Sequence, residues 1–316
     1  MAVGEYAVAS DTGRRRRRNE DNYVVAPPLF AVADGMGGAQ AGEVASKLAA
    51  SALEAGDSEE LSGLERVDAL IQEANRRIFD RASSDPSASG MGTTMTVALV
   101  EGMTVAIGHV GDSRAYLVRG DTMEQLTEDH SLVNELLKSG KLSEEEAHIH
   151  PQRSVITRAV GTDPDVDVDA FSIEAEDGDV FLICSDGLSD MVEDEDILDV
   201  LDRHRDDLEK AVKALVQTAN REGGEDNITA VAFRIAAEAE DGPGIEDTAT
   251  LPALTDPPAE PDEPDEQTRE YAKDEPSEPA SDNVSQGIDA KRVRIVLAAL
   301  VLLAVAAALL IWGLAR

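Results

Sequence analysis

The stretch that decides the fold is Phe30-Ala31-Val32-Ala33-Asp34-Gly35-Met36-Gly37-Gly38, an apolar run that stops at an aspartate and a glycine-rich turn. An apolar run bounded by turn residues predicts a buried strand. Three later stretches place an aspartate among small turn residues: Val110-Gly111-Asp112-Ser113-Arg114, Phe181-Leu182-Ile183-Cys184-Ser185-Asp186-Gly187 and Gly223-Gly224-Glu225-Asp226-Asn227. Converging carboxylates repel one another unless cations lie between them. The set therefore predicts a site for Mg²⁺ or Mn²⁺, which prefer oxygen ligands.

Two further motifs extend this pattern along the chain. They are Arg16-Arg17-Arg18-Asn19-Glu20-Asp21-Asn22 near the N-terminus and Gly90-Met91-Gly92-Thr93-Thr94. In this order and at these spacings, the motifs resemble the metal-dependent protein phosphatase 2C family in its bacterial form. The resemblance spans residues 3–236 and implies an α/β fold, an α-β-β-α sandwich with two antiparallel sheets between layers of helices.

The resemblance also implies a set of metal ligands. Asp34 corresponds to the carboxylate that bridges two ions, and Gly35 to the residue whose carbonyl binds one of them. Asp186 and Asp226 correspond to the aspartates that complete this first site. Asp112 corresponds to a ligand of a third, weaker site that shares Asp186. The implied cofactors are two Mn²⁺ or Mg²⁺ ions, with room for a third.

Three residues of the N-terminal motif match family positions around these metals. Glu20 and Asp21 correspond to acidic residues that hold metal-bound waters and orient the ligands. Arg16 corresponds to the phosphate-binding arginine, and its planar guanidinium suits bidentate contact with a phosphate. A histidine that many bacterial relatives carry after the glycine turn is replaced by Ala39. The proton donor to the leaving group therefore stays open between a metal-bound water and His150, in the stretch that corresponds to the family's flap.

The function implied is hydrolysis of phosphoserine and phosphothreonine on proteins, with a water held between the two ions attacking phosphorus directly. Three alternatives remain open: a pseudophosphatase that binds phosphoproteins without catalysis, a hydrolase of small phosphate esters, and a relative of the enzymes that dephosphorylate anti-sigma antagonists. Asp34, Asp186 and Asp226 are intact, which argues against the first.

Composition excludes other classes of function. The net charge of −36 disfavours a nucleic-acid partner, because affinity for the phosphate backbone comes from Lys and Arg. The single cysteine, Cys184, excludes an intrachain disulfide. It lies in an apolar run, where we expect a small core residue and not a nucleophile.

Hydropathy patterns predict alternating strands and helices between residues 1 and 235. Apolar runs and alternation predict strands at Tyr6–Ala9, Phe30–Ala33, Thr94–Val100, Thr104–Val110, Ala115–Val118, Val180–Cys184 and Ile228–Ile235. Helical periodicity is found at Glu43–Leu53, Leu64–Arg81, Ser131–Leu137, Ile197–Leu201 and Leu208–Asn220. Short connections between successive strands favour antiparallel pairing.

Two segments follow the predicted catalytic domain. Residues 236–290 hold 8 of the 13 prolines and 17 acidic residues against Arg269 and Lys273, which predicts a disordered acidic linker. Residues 291–316 combine a basic flank with 21 uncharged residues, 295–315, long enough to span a bilayer as one helix.

Charge around the predicted span suggests an orientation. Lys291, Arg292 and Arg294 precede it, while Arg316 alone follows it. The positive-inside rule then places the catalytic domain in the cytoplasm, on the cell membrane. The expected partners are phosphorylated proteins, among them a membrane Ser/Thr kinase and its substrates, since a shared membrane raises effective concentration. We expect a monomeric catalytic domain.

Overall fold

A computed structural model describes residues 2–37, 41–55, 61–143, 146–147 and 150–237. The predicted spanning helix, and the predicted linker beyond Ala237, lie outside the described residues, as do Gly38, Ala39 and His148. Within the described ranges, no helix combines the length and apolar character needed to cross a membrane.

The described strands form two sheets in which every pairing is antiparallel. The strands are β1 (Val3–Asp11), β2 (Asp21–Ala26), β3 (Leu29–Met36), β4 (Gly92–Thr93), β5 (Met95–Glu101), β6 (Thr104–Val110), β7 (Arg114–Arg119), β8 (Thr122–Gln125), β9 (Asp169–Glu174), β10 (Val180–Cys184) and β11 (Ile228–Ile235). One sheet has the order β1-β11-β10-β7-β8. The other has the order β2-β3-β5-β6-β9, with β4 paired to β3.

Helices cover the outer face of each sheet. Those described are α1 (Ala41–Ala55), α2 (Gly63–Ser84), α3 (Leu132–Lys138), α4 (Asp186–Ser189), α5 (Asp194–Arg203) and α6 (Leu208–Arg221), with a 3₁₀ turn at Pro86–Ala88. Buried residues of α1 and α2 pack with β3, β5 and β6 in one apolar core. Buried residues of α5 and α6 pack with β10 and β11 in a second core. The layers are therefore α-β-β-α, and the expected antiparallel sandwich is confirmed.

A third core lies between the two sheets and contains a stack of three phenylalanine rings. Phe30 of β3 stacks on Phe233 of β11 with centroids 4.2 Å apart, and Phe233 stacks on Phe181 of β10 at 5.2 Å. All three side chains are at most 1% exposed. Such large rings bury much apolar area, so this stack fixes the spacing of the sheets at their centre.

The local structure around two of the motif aspartates differs from a simple turn. Strand β3 continues through Asp34 to Met36 because Gly35 and Met36 pair with β4. Asp186 begins the short helix α4 instead of standing in a turn, with Asp190 N donating to Asp186 O at 2.7 Å. Strands β2, β4, β8 and β9 are absent from the prediction because they are short or lack an uninterrupted apolar run.

Replacing Phe233 by Ala is expected to lower the free energy of unfolding by about 3–5 kcal/mol, because the cavity lies between two rings and two sheets. Tyr23→Ala is the matched control, since the Tyr23 side chain is on an edge strand and 41% exposed. We expect that change to stay within about 1 kcal/mol. Urea unfolding followed by circular dichroism measures both, and equal losses would contradict a core role for the stack.

Candidate active site

Asp34 is fixed by its backbone on both sides. Its N–H donates to Thr94 Oγ1 at 3.0 Å, and its carbonyl oxygen accepts from Thr94 N and Thr93 Oγ1, both at 2.8 Å. Across the sheet it pairs in register with Asp21 of β2. The side chains of register partners lie on the same face of a sheet, so these two carboxyl groups are neighbours.

Gly35 follows Asp34 at a backbone-to-backbone contact with the start of α1. A Cβ added at Gly35 would lie 2.1 Å from the carbonyl oxygen of Gly42, and one added at Gly42 would lie 2.5 Å from the carbonyl oxygen of Gly35. Neither position has room for a side chain. The structure thus identifies Gly42 as the neighbour whose close approach requires a glycine at position 35.

The other motif aspartates reach Asp34 from different elements. Asp112 follows β6, Asp186 begins α4 at the end of β10, and Asp226 precedes β11 with only Asn227 between them. The charges of Asp21, Asp186, Asp112 and Asp226 all act on Asp34. The structure thus brings together every aspartate that the sequence predicts as a metal ligand.

Enclosure and mutual repulsion disfavour the charged form of these groups. Burial, followed by repulsion from neighbouring carboxylates, raises the pKa values of Asp34 and Asp186 well above their ordinary range. Burial first, and then the nearby acids, raise the pKa of Asp112 to about 7. Burial raises the pKa of Asp21 to about 6, although hydroxyl groups that bond to it act in the opposite direction. Perturbed carboxyl groups of this kind are typical of functional sites.

Two carboxylate oxygens in the cluster are candidate ligands for a cation. Asp21 Oδ1 and Asp186 Oδ1 are buried, and no group in the described part of the chain forms a hydrogen bond with either. Among the same residues, no three His, Cys, Asp or Glu side chains are arranged as a finished ligand set. The fit therefore depends on charge and donor chemistry: excess negative charge and unbonded carboxylate oxygens suit a hard divalent cation.

Asp21 is buried and accepts two hydrogen bonds from other side chains. It is 7% exposed, and its Oδ2 accepts from Thr229 Oγ1 at 2.6 Å and Ser185 Oγ at 2.9 Å. Glu20 lies at the margin, where burial raises the pKa of its carboxyl group. Its backbone N–H donates to Asn227 Oδ1 at 2.7 Å.

Arg16 contacts a predicted metal ligand. Its Nη2 donates to Asp226 Oδ2 at 2.5 Å, and half of its side chain is exposed. Arg16, Asp186 and Asp226 line one cavity of about 210 Å³, together with Arg153. The predicted phosphate-binding residue and two predicted metal ligands therefore share one space.

Sequence reasoning missed two residues that organise this space. Asn227 Nδ2 donates to the carbonyl oxygens of Thr12 and Arg18, which holds the arginine loop against the end of β11. Asp190 lies one helical turn after Asp186, and burial raises the pKa of its carboxyl group. The spacing of four residues on a helix was a usable signal for Asp190, whereas Asn227 offered none beyond its place in the motif.

Comparison with known proteins agrees with this geometry. A family model described as protein phosphatase 2C matches residues 15–231. The chain belongs to the protein phosphatase 2C family. It is 43% identical over 231 residues to a serine/threonine phosphatase stp of Listeria innocua, covering 70% of this chain and 91% of that one. A solved catalytic domain of serine/threonine protein phosphatase PstP, in complex with two manganese ions, aligns with a TM-score of 0.68 and 39% identity, over 74% of this chain and 99% of that chain.

One similar family member is a longer protein. The serine/threonine protein phosphatase PstP of Mycobacterium tuberculosis is 43% identical over 231 residues, which are 72% of this chain but 44% of that relative. The likeness thus covers the protein phosphatase 2C domain, and the expected family is confirmed. The individual ligand assignments at Asp34, Gly35, Asp112, Asp186 and Asp226 stay predictions, as do the roles of Arg16, Glu20 and Asp21.

In the present chain, Asp34→Asn is expected to raise the unfolding free energy of the metal-free protein at pH 8 by roughly 1–2 kcal/mol, because it removes a carboxylate that its neighbours repel. Asp34 binds a proton more tightly in the folded chain than in the unfolded chain, where its pKa is near 4. Its protonation therefore stabilises the fold fully below about pH 4, and this contribution is lost as the pH rises through the raised pKa of the folded state. The advantage of the variant therefore shrinks between pH 8 and pH 5. Urea unfolding in EDTA measures it.

Asp165→Asn is the control for that experiment, because Asp165 is exposed and outside the cluster. Its unfolding free energy is expected to follow that of the unsubstituted chain at both pH values. An Asp34→Asn protein less stable than the unsubstituted chain at pH 8 would contradict the repulsion that we describe.

Proposed function

We propose that this chain is a metal-dependent protein phosphatase that hydrolyses phosphoserine and phosphothreonine on proteins. The observation that carries the proposal is the convergence of Asp34, Asp186 and Asp226 beside Arg16, in a domain whose relatives are named serine/threonine phosphatases. The manganese bound in a similar catalytic domain supports Mn²⁺ as the cofactor, with Mg²⁺ as its chemical equivalent here.

The carboxylates of Asp34, Asp186 and Asp226 and the carbonyl of Gly35 would hold two cations, and Asp112 with Asp186 would hold a third. Two such ions, when bound, supply a nucleophilic water and neutralise charge on the phosphate. The protein fixes Asp34 through the bonds of its backbone to Thr93 and Thr94. Asp21 holds the sheet ends in place, since Ser185 and Thr229 both donate to it.

Arg16 would bind the phosphate of the substrate. In the structure its guanidinium donates to Asp226 and faces Asp34 and Glu20. Its planar guanidinium can form two parallel bonds to phosphate oxygens. Its exposure lets it reach a phosphate that arrives from solvent.

A nucleophilic cysteine is not available at this site. Cys184 precedes Asp186 by two residues, but it is fully buried in β10, and burial raises the pKa of its thiol to about 12. The thiolate, which is the reactive form, is therefore almost unpopulated at neutral pH. This supports direct attack by water on phosphorus over a covalent phosphoenzyme at Cys184.

A protein substrate is favoured over a small phosphate ester by a second cavity next to the first. It has a volume of about 650 Å³ and shares Arg153 and Asp190 with the smaller one. A phosphate alone fills only the smaller space. The larger cavity can take side chains that flank the phosphorylated residue.

Asp34→Asn is expected to lower Mn²⁺-dependent hydrolysis of a phosphothreonine peptide at least about a hundredfold, because it removes the charge of a proposed metal ligand. Arg16→Lys is expected to lower kcat/KM about 10–100-fold, since lysine cannot form the bidentate contact. Arg17→Lys, in the same arginine run, is the matched control and is expected to retain activity. Phosphate release with and without Mn²⁺ measures all three.

Two results would contradict the proposal. A folded chain that binds a phosphothreonine peptide but releases no phosphate with either metal would indicate a binding module. Hydrolysis of small aryl phosphates without hydrolysis of the phosphopeptide would indicate a small-ester hydrolase.

We propose further that the C-terminal segment 295–315 anchors the chain in the cell membrane, with the phosphatase domain in the cytoplasm. The supports are the length of the uncharged segment and the basic residues before it. A membrane Ser/Thr kinase and its substrates are the proposed partners, because two proteins confined to one membrane meet at a higher effective concentration.

The full chain is expected in the membrane fraction of expressing bacteria, and a chain ending at residue 237 in the supernatant. The full-length control Leu303→Arg with Ala307→Arg places two charges mid-span, which costs roughly 5–7 kcal/mol of insertion free energy. We expect it to leave the membrane fraction. Carbonate washing and immunoblotting measure the distribution, and a full chain that is washed off would exclude a spanning anchor.

A further inference from the structure

His130 is a buried side chain that the proposed mechanism does not use. It is 8% exposed and contacts the turn after β6. It directly precedes the segment 131–156 between β8 and β9, which we call the excursion. Its ring is 4.8 Å from that of His109, centroid to centroid. Burial is the main cause that lowers the pKa of each imidazole, that of His109 to about 4. Both rings are therefore neutral at physiological pH.

The His130 ring bonds to the residue before Asp112. Gly111 N donates to His130 Nδ1 at 3.0 Å, and His130 N donates back to Gly111 O at 2.7 Å. Because Nδ1 accepts, the ring proton is on Nε2. Nε2 donates to Asp169 Oδ2 at 3.1 Å, while Arg158 Nη1 donates to the other carboxylate oxygen at 2.6 Å and itself lies 3.0 Å from Nε2. The chain of contacts thus runs from Arg158 through Asp169 and His130 to the backbone of Gly111.

Only glycine fits at position 111. Its φ is +113°, a conformation that other residues rarely adopt, and an added Cβ would lie 2.6 Å from Thr94 Cβ. On the far side of the turn, Ser113 Oγ bonds to Thr94 Oγ1 at 2.6 Å. The same Thr94 hydroxyl accepts from Asp34 N. Asp112 is therefore held between Thr94 on one side and His130 on the other.

The same histidine stands where the excursion 131–156 leaves and rejoins the domain. Thr157 N donates to His130 O at 2.8 Å, and Leu132 N donates to Val155 O at 2.9 Å. Ser131 and Ile156 pair as an isolated antiparallel bridge. Both ends of the excursion are thus tied together at His130. Inside the excursion, Arg153 contacts Asp190 and Glu225 at the mouth of the site.

We propose that His130 is a positioning residue for Asp112: its neutral Nδ1 fixes the Gly111 amide, and this bond links the base of the excursion to the weakest metal site. The proposal rests on the proposed function, which assigns Asp112 to that site. Outer contacts that orient a ligand typically change metal affinity about 10–100-fold when they are removed.

Two substitutions of His130 separate its two bonds. In His130→Asn the amide oxygen takes the place of Nδ1 and can still accept from Gly111. In His130→Gln the longer side chain takes the place of Nε2 and can contact Asp169 but leaves the Gly111 amide without its acceptor. Asp169→Asn weakens the partner of Nε2 at a half-exposed position. His204→Asn, at the end of α5 and far from these contacts in sequence, is the control.

The test is calorimetric titration of Mn²⁺ into the metal-free full chain in mild detergent, with hydrogen exchange of the peptide containing Gly111. We expect His130→Gln to weaken the weakest Mn²⁺ binding step about 10–100-fold and to speed exchange. His204→Asn is expected to stay near the unsubstituted values, whereas His130→Asn, which keeps the acceptor for Gly111 but loses the bond to Asp169, is expected to weaken that step only about threefold. Asp169→Asn is expected to show a smaller loss, about threefold.

The outcomes decide the proposal either way. Equal effects of His130→Asn and His130→Gln, or unchanged Mn²⁺ binding by His130→Gln, would overturn it, because a merely structural role treats the two variants alike. If His130→Gln does not fold, Asp169→Asn decides, and unaltered Mn²⁺ binding by that variant overturns the proposal. Calorimetry requires no turnover, so a chain that binds Mn²⁺ but hydrolyses nothing would contradict the proposed function alone.

Discussion

Besides the apolar core between them, one buried carboxylate joins the two sheets, that of Asp21. It belongs to β2 in one sheet and accepts hydrogen bonds from Ser185 and Thr229, which belong to the end of β10 and to β11 in the other. Hydrogen bonds to a charged group in an enclosed setting are strong and directional. Because Asp34 is the register partner of Asp21, and Asp186 adjoins Ser185, this contact brings carboxylates of different sheets together.

The carboxylates that are proposed to bind the metal also destabilise the metal-free fold, because they repel one another. The protein holds several repelling carboxylates in contact, and the apolar cores on both sides of each sheet maintain the geometry that the charges disfavour. A cation reverses the sign of the interaction, from repulsion among carboxylates to attraction by a shared ion. The apolar cores thus hold the carboxylates in an arrangement that favours a cation before any cation binds.

The sequence predicts the elements that consist of apolar runs, and β6, β10 and β11 match their predicted bounds. It does not predict β2 or β9, because β2 begins with polar residues and β9 alternates at a sheet edge with much of its surface exposed. The metal-site aspartates are found by motif, since each stands in a local signature. Their supporting contacts are not, because Ser185 and Thr229 are 164 and 208 positions from Asp21. Those contacts arise only from the packing of one sheet on the other.

The contact between Gly35 and Gly42 limits how this site can diversify. Two backbones touch there without side chains, so no single substitution can adjust the distance between the strand that carries Asp34 and the helix behind it. A mutational library would find both positions intolerant, and pairwise changes would not compensate each other, since each added methyl group meets main-chain atoms. We therefore expect variation in substrate preference among side chains that line both cavities, such as Arg153 and Asp190.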